Sequence, residues 1–188
     1  MQPVFEGVSG SVAPSLLIVG GVRSGKSRFA VERLSPDARI VFVATAEARD
    51  ESMAKRIARH RAERPSRWST VEAPFDLVAT VQGLESTCDG ILVDCLTLWV
   101  SNLLLRGDRD DAILEQVEAL AGLIGRCHSS ITLVSNEVGE GVHPETAMGL
   151  RFPDLLGSAN QRVAAACDTV VLMVAGIPVT VKPPPVRA

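Results

Sequence analysis

Tyrosine is missing from this 188-residue chain, and aromatic residues of all kinds reach only 4%. A platform of stacked rings for the bases of a single strand is therefore excluded as a main binding mode. An excess of one charge is missing too. Nineteen Lys and Arg against 22 Asp and Glu leave a formal net charge of −3, so no global basic field draws in nucleic acid or an anionic membrane. A polyanionic ligand must then be gripped by a local cluster of donors. The four cysteines, Cys88, Cys95, Cys127 and Cys167, never fall at C-x-x-C spacing, which argues against a zinc ribbon or a redox dithiol. Each stands in or beside an apolar segment and reads as a free, buried or half-buried thiol. The histidines, His60, His128 and His143, join them in no metal-like spacing. No apolar run approaches the roughly 20 residues of a membrane span, and the N-terminal segment lacks the basic stretch and apolar run of a signal peptide. These absences lead us to expect a soluble, cytoplasmic protein without a membrane span.

What is present is an alternation. Hydrophobic residues make up 46% of the chain, close to ordinary globular usage, and a domain of this length hides roughly 70% of its unfolded surface. Short apolar runs at 16–19, 39–44, 90–95 and 131–135 read as buried parallel strands, with a shorter extended piece at 68–72. Helical spacing or composition lies between them, at 27–34, 50–63, 75–84, 96–105, 110–127 and 154–166. Two last strands, 168–175 and 178–182, are joined too tightly for a crossover and form a hairpin. The expected fold is α/β: a P-loop NTPase-like three-layer sandwich, with a mostly parallel sheet and one antiparallel edge hairpin at the C-terminus. Residues 1–14 read as a flexible arm, 15–182 as one nucleotide-binding catalytic domain, and 183–188 as a Pro-rich tail.

Between the first strand and the first helix stands Gly20-Gly21-Val22-Arg23-Ser24-Gly25-Lys26-Ser27. Gly20, Gly25, Lys26 and Ser27 satisfy G-x-x-x-x-G-K-[ST], in the strand–helix setting where the motif has a mechanism. Its glycines let successive N–H groups point inward at phosphate oxygens, and the helix N-terminus adds a favourable dipole. Lys26 is expected to reach the β- and γ-phosphates and Ser27 to ligate Mg²⁺. Asp94 ends the run G-I-L-V-D, where a carboxylate can hold the same Mg²⁺ or contact a nucleotide hydroxyl.

A second constellation lies on the helix at 50–63. Arg56, His60 and Arg64 stand at i, i+4 and i+8, roughly along one face, and Arg59 and Arg61 flank the histidine. Neutral imidazole is a competent nucleophile toward phosphorus, and arginines neutralise charge developing on phosphoryl oxygens. Composition by itself favours the plainer reading, a solvated surface histidine on a basic helix.

The order of motifs narrows this. G-G-V-R-S-G-K-S, V-A-T-A, R-I-A-R-H-R-A-E-R-P-S-R-W-S-T-V-E, L-V-D-C-L-T-L-W-V-S-N-L-L, V-S-N-E-V-G-E-G-V-H-P and G-S-A-N-Q-R-V-A-A-A-C-D follow one another from Leu16 to Lys182. The chain resembles the bifunctional adenosylcobinamide kinase / adenosylcobinamide-phosphate guanylyltransferase family of cobalamin biosynthesis. The resemblance implies two reactions. ATP or GTP phosphorylates the aminopropanol hydroxyl of adenosylcobinamide. GTP then transfers GMP to that phosphate through a guanylylated histidine, which falls on His60. The implied nucleotide contacts fall on Val19 through Lys26, on Ala44, Thr45 and Ala46, on Arg61, Ala62, Glu63 and Arg64, and on Glu72 and Asp94. A homo-oligomer, a trimer in the family, is implied as well. The chain departs from the family pattern at Arg59, at Val142-His143 before Pro144, and at Phe152-Pro153-Asp154.

Some residues stay open on sequence grounds. Trp68 reads equally as a wall of the site or a packing anchor. Asn136 and Glu137 end a buried strand, where sites of open α/β sheets gather, and serve either a substrate or a turn. Arg23 and Arg28 read as phosphate neighbours or surface charges, and His128 and His143 are assigned nothing. Two alternatives to the bifunctional reading remain: a P-loop small-molecule kinase only, with His60 idle, and a GTP-binding switch module. The second is weakened by the lack of an N-K-x-D guanine-reading motif.

Overall fold

A computed structural model describes residues 14–48, 51–62, 64–139 and 145–185, without the side chains of Ser52, Arg56, Arg59 and His60. The N-terminal arm before Pro14, the helix start at Asp50, Glu63, the Val142-His143-Pro144 departure and the end of the tail lie outside the described residues.

Seven strands form one sheet in the order β3-β2-β4-β5-β1-β6-β7. They are β1 (Ser15–Gly20), β2 (Ile40–Ala44), β3 (Ser69–Glu72), β4 (Gly90–Asp94), β5 (Ser130–Val134), β6 (Thr169–Val174) and β7 (Ile177–Lys182). The apolar runs become the central strands because both of their faces are covered, as a parallel sheet requires. Every pairing is parallel except β6–β7, which closes through Ala175 and Gly176, both at left-handed φ of 50° and 85°, as a primed two-residue turn demands. The expected mostly parallel sheet with one antiparallel edge is what the chain forms.

The helices are α1 (Lys26–Arg33), α2 (Glu51–Ala62), α3 (Leu77–Leu84), α4 (Leu96–Arg106), α5 (Asp110–Ile124) and α6 (Ala147–Ala166). On one face α1 and Trp68 cover Ile18, Phe42, Leu92 and Val134. On the other, α3 to α6 pack on Leu17, Val43, Ile91, Val93 and Leu133 around the fully buried Trp99, whose indole N–H donates to the Phe75 carbonyl at 2.9 Å. The two faces alternate along each strand, so residue parity tells which face a side chain meets.

One expectation fails. Helix α6 begins at Ala147, two turns before the predicted start, and runs through Pro153. Thr146 caps it by accepting from the Gly149 N–H at 3.0 Å, Arg151 pairs with Asp110, and Leu155, Leu156, Ala159 and Val163 anchor its apolar stripe. Capping and packing together override the cost of a proline inside the helix. At its far end Lys182 donates to the carbonyls of Ala164, Ala165 and Cys167, satisfying acceptors a helix C-terminus leaves open. No helix of the described residues is long and apolar enough to cross a membrane.

Candidate active site

The phosphate-loop motif folds as a loop between β1 and α1. Gly20 is obligatory: a Cβ there would lie 2.5 Å from the Met173 carbonyl oxygen, and its φ is 150°. Gly25 caps α1 at φ 94° without a side-chain capping hydrogen bond. No acidic residue stands in that first turn, so nothing there competes with an anion. Ser24 N–H donates to Gly21 O at 3.3 Å, and the β6–β7 turn adds Gly176 N–H to Ser24 O at 3.0 Å. The Lys26 side chain is 8% exposed and folds back to donate to Gly21 O at 2.7 Å. The Ser24 hydroxyl is buried without a partner among the described residues. Such a group tolerates burial poorly unless a ligand supplies an acceptor. Val22 and Arg23 stand at the loop's open crest, Arg23 at a left-handed φ of 58°.

Sheet register gathers the other expected residues. Glu72, Ala44, Asp94, Val134 and Ile18 form one row across β3, β2, β4, β5 and β1. Asp94 shares parity with Leu92, which packs in the same cluster as Ala30 of α1, so alternation turns Asp94 to the phosphate-loop side. Glu72 is exposed and Ala44 and Ala46 are half-buried. Thr45 is fully buried. Its hydroxyl donates to Cys95 O at 2.7 Å and accepts from Cys95 N–H at 2.8 Å, so this side chain tacks the ends of β2 and β4 together. Asn102 supports the tack by donating to Thr45 O at 2.8 Å. Burial, with the Asp94 charge adding, pushes the Cys95 thiol up to about 12, which keeps it protonated and inert.

The third part comes from the segment joining α2 to β3. The Arg64 guanidinium sits 3.2 Å from the Phe42 ring centroid and donates to Thr70 Oγ1 at 3.2 Å. Its pKa is lowered chiefly by burial, the Asp94 charge opposing and Arg61 assisting. Arg61, Arg64, Trp68 and Thr70 border a cavity of about 390 Å³. Arg64 Nε and Trp68 Nε1 are both buried without an acceptor among the described residues. Trp68 therefore combines its two readings: it packs in the α1-side core and borders a cavity. Arg61 and Ala62 are exposed. The backbone of His60 lies in α2, one turn before Arg64; its side chain, like Glu63, is outside the described residues.

Three elements were not anticipated: the Phe42–Arg64 stack, the Thr45–Cys95 tack, and the link from Asn160 of α6 to the Asn136 carbonyl. Asn136 stood out at a strand end, and Arg64 and Thr45 among the implied nucleotide contacts, but their partners Asn160, Phe42 and Cys95 carried no such signal. His128 is exposed in a turn and meets none of these groups.

A helix N-terminus capped by glycine behind a glycine loop, a buried lysine at the end of that loop and an acid at the end of β4 define a P-loop nucleotide-binding α/β protein. A solved ATPase of a bacterial type III secretion system has the same fold, at TM-score 0.52 and 11% identity; the match covers 90% of this chain and 57% of that one. The chain belongs to the cobinamide kinase / cobinamide phosphate guanyltransferase family, whose model matches residues 16–181. It is 44% identical over 171 residues to the bifunctional adenosylcobalamin biosynthesis protein CobP of Pseudomonas aeruginosa, covering 90% of this chain and 98% of that protein. With CobU of Salmonella typhimurium, of the same description, it shares 37% identity over 179 residues, 89% of this chain and 99% of that protein.

Proposed function

We propose that this chain is a bifunctional enzyme of cobalamin biosynthesis that carries out two transfers at phosphorus on one substrate, adenosylcobinamide. The family membership and near full-length relatives support the pair of activities. The observation that carries the chemistry is the phosphate loop with buried Lys26; α2, which follows β2, contains His60 and Arg61.

In the first transfer the aminopropanol hydroxyl oxygen of adenosylcobinamide attacks the γ-phosphorus of ATP or GTP. The bond to the β–γ bridging oxygen breaks, the hydroxyl proton is lost, and the nucleoside diphosphate leaves. Lys26 and the first N–H groups of α1 hold the β- and γ-oxygens as charge redistributes. In the second transfer an imidazole nitrogen of His60 attacks the α-phosphorus of GTP and pyrophosphate leaves. An oxygen of adenosylcobinamide phosphate then displaces the histidine, giving adenosylcobinamide-GDP. Arg61 and Arg64 supply the positive charge this α-phosphoryl group needs. Splitting one exchange into two gives each step a good leaving group.

Ser27 is the second residue of α1, and Asp94 at the end of β4 turns to the α1 side of the sheet, so a hydroxyl and a carboxylate are available for Mg²⁺. These hard oxygen donors fit an ion that takes one or two protein ligands and completes its shell with phosphate and water. When bound, Mg²⁺ neutralises charge on the triphosphate. Val19 to Ser27, Ala44 to Ala46, Arg61 to Arg64, Glu72 and Asp94 form the nucleotide site, within a catalytic unit at 15–182. A cytoplasmic location, where both nucleotides are supplied, goes with this reading. The protein's oligomer, a trimer as the resemblance implies, forms through β7, the last strand of the sheet among the described residues, where Ile177, Val179 and Val181 are 65%, 47% and 61% exposed.

The test is to incubate purified protein with adenosylcobinamide, Mg²⁺ and ATP, then add GTP, following products by chromatography and mass spectrometry. Adenosylcobinamide phosphate followed by adenosylcobinamide-GDP supports the reading. Phosphate that GTP never converts would reduce the protein to a kinase.

A further inference from the structure

We propose that Asn136 reads the terminal phosphoryl group of a nucleoside triphosphate seated in the phosphate loop, its side-chain amide donating to a γ-oxygen. This rests on the nucleotide reading of that loop and adds a residue to it.

Strand β5 lies between β1, which leads into the loop, and β4, which ends in Asp94. Its ladder does not stop at Val134. Ser135 N–H donates to Ile18 O at 2.9 Å and Glu137 N–H to Gly20 O at 3.1 Å. Residues 135 to 137 therefore run beside β1 up to the glycine that opens the loop. Alternation decides which of them faces the nucleotide. Val134 packs in the α1-side cluster with Ala30 and Phe42, so Asn136 turns to that side, as Asp94 does from β4. Ser135 turns the other way, its hydroxyl 3.5 Å from that of Thr97. Glu137 shares the parity of Ser135, and its carboxylate accepts from Gly139 N–H at 2.9 Å. Asn136, two residues past the end of β5, is thus the polar side chain that this extension turns to the phosphate side.

The backbone at this point is held from two helices. Thr97 of α4 accepts the Asn136 N–H at 2.7 Å, and Asn160 of α6 donates to the Asn136 carbonyl at 3.0 Å. Asn160 Oδ1 is itself buried without a partner among the described residues, so the amide is oriented by its bond to the Asn136 carbonyl. The half-buried Asn136 side chain, by contrast, makes no hydrogen bond among the described residues. A group positioned so closely, with both amide protons uncommitted, is preorganised for an acceptor that arrives with the ligand. A neutral amide is suited to the terminal phosphoryl group: it donates without adding charge that would hold the diphosphate product as well. Asn160 is a positioning residue for it.

The experiment measures dissociation constants for a fluorescent guanosine diphosphate and for the non-hydrolysable β,γ-imido triphosphate on the full chain with Mg²⁺. Wild type is compared with Asn136→Ala, Asn136→Asp and Asn160→Ala. Loss of one hydrogen bond to a charged group predicts that Asn136→Ala weakens the triphosphate analogue by about tenfold or more while leaving the diphosphate within about twofold. Asn136→Asp weakens the analogue further by placing a carboxylate against it, and Asn160→Ala weakens it in the same selective way but less. Retained diphosphate affinity certifies the fold of each variant. Equal losses for both nucleotides, or no loss for either, would overturn the assignment of Asn136. Wild type that binds neither nucleotide would overturn the phosphate-loop reading and this proposal with it.

Discussion

The Lys26 ammonium donates to the Gly21 carbonyl across 2.7 Å, so the lysine spans the loop it belongs to. A nucleotide phosphate offers the same ammonium a stronger, charged acceptor. Lys26→Ala is expected to lower turnover of adenosylcobinamide phosphorylation by about 10²–10³-fold, the usual effect of losing one transition-state donor. Steady-state kinetics with ATP and with GTP check this, and near wild-type turnover would count against the loop as the phosphoryl site.

Arg64 is held by a ring as well as by hydrogen bonds, its guanidinium 3.2 Å from the Phe42 centroid. An ammonium cannot reproduce a planar stack and a fork of donors. Arg64→Lys is therefore expected to weaken GTP by about tenfold, in line with a charged hydrogen bond. Phe42→Leu should weaken GTP in the same direction, because it removes the surface on which the guanidinium rests. Equilibrium binding of a fluorescent GTP analogue measures both, and a silent Arg64→Lys would remove Arg64 from the site.

Burial pushes the Cys167 thiol up to about 12, with Lys182 opposing and Asp168 assisting. A cysteine in the unfolded chain titrates near ~8.5. Below that pH both states hold the proton and the contribution is fully present. As pH rises toward the folded value only the unfolded state loses its proton, so stability falls by ~1.4 kcal/mol per unit. Urea denaturation at about pH 8 and about pH 10.5 should show a shallower loss for Cys167→Ala than for wild type. Equal slopes would contradict the burial argument.

Much of this architecture is legible in the order of residues because buried parallel strands leave runs such as I-V-F-V-A and G-I-L-V-D, and tight turns need glycine. Pro153 misleads for the opposite reason: a local penalty is outweighed by the Thr146 cap and by packing that only the folded chain provides. The phosphate loop is legible because its spacing carries its mechanism. His60 depends on resemblance, since a histidine among arginines has no local signature of nucleophilicity. Phe42 under Arg64 and Asn160 behind Asn136 could not be read from the chain, because each pair meets only through the sheet's long-range register.

The apolar edge of β7 predicts assembly. Val179→Lys combined with Val181→Glu should shift the protein from an oligomer to a monomer in light scattering, with GTP binding retained. Both positions lie on the outermost strand, away from the loop. A wild-type protein that scatters as a monomer would remove β7 as an interface.

The central claim, a covalent guanylyl-histidine on α2, is tested most directly by mixing the protein with α-³²P-labelled GTP and Mg²⁺ and denaturing it. Wild type should carry label that is acid-labile and alkali-stable, as a phosphoramidate is, and His60→Ala should carry none. Absence of label on wild type that still phosphorylates adenosylcobinamide, or label that persists in His60→Ala, would contradict the account.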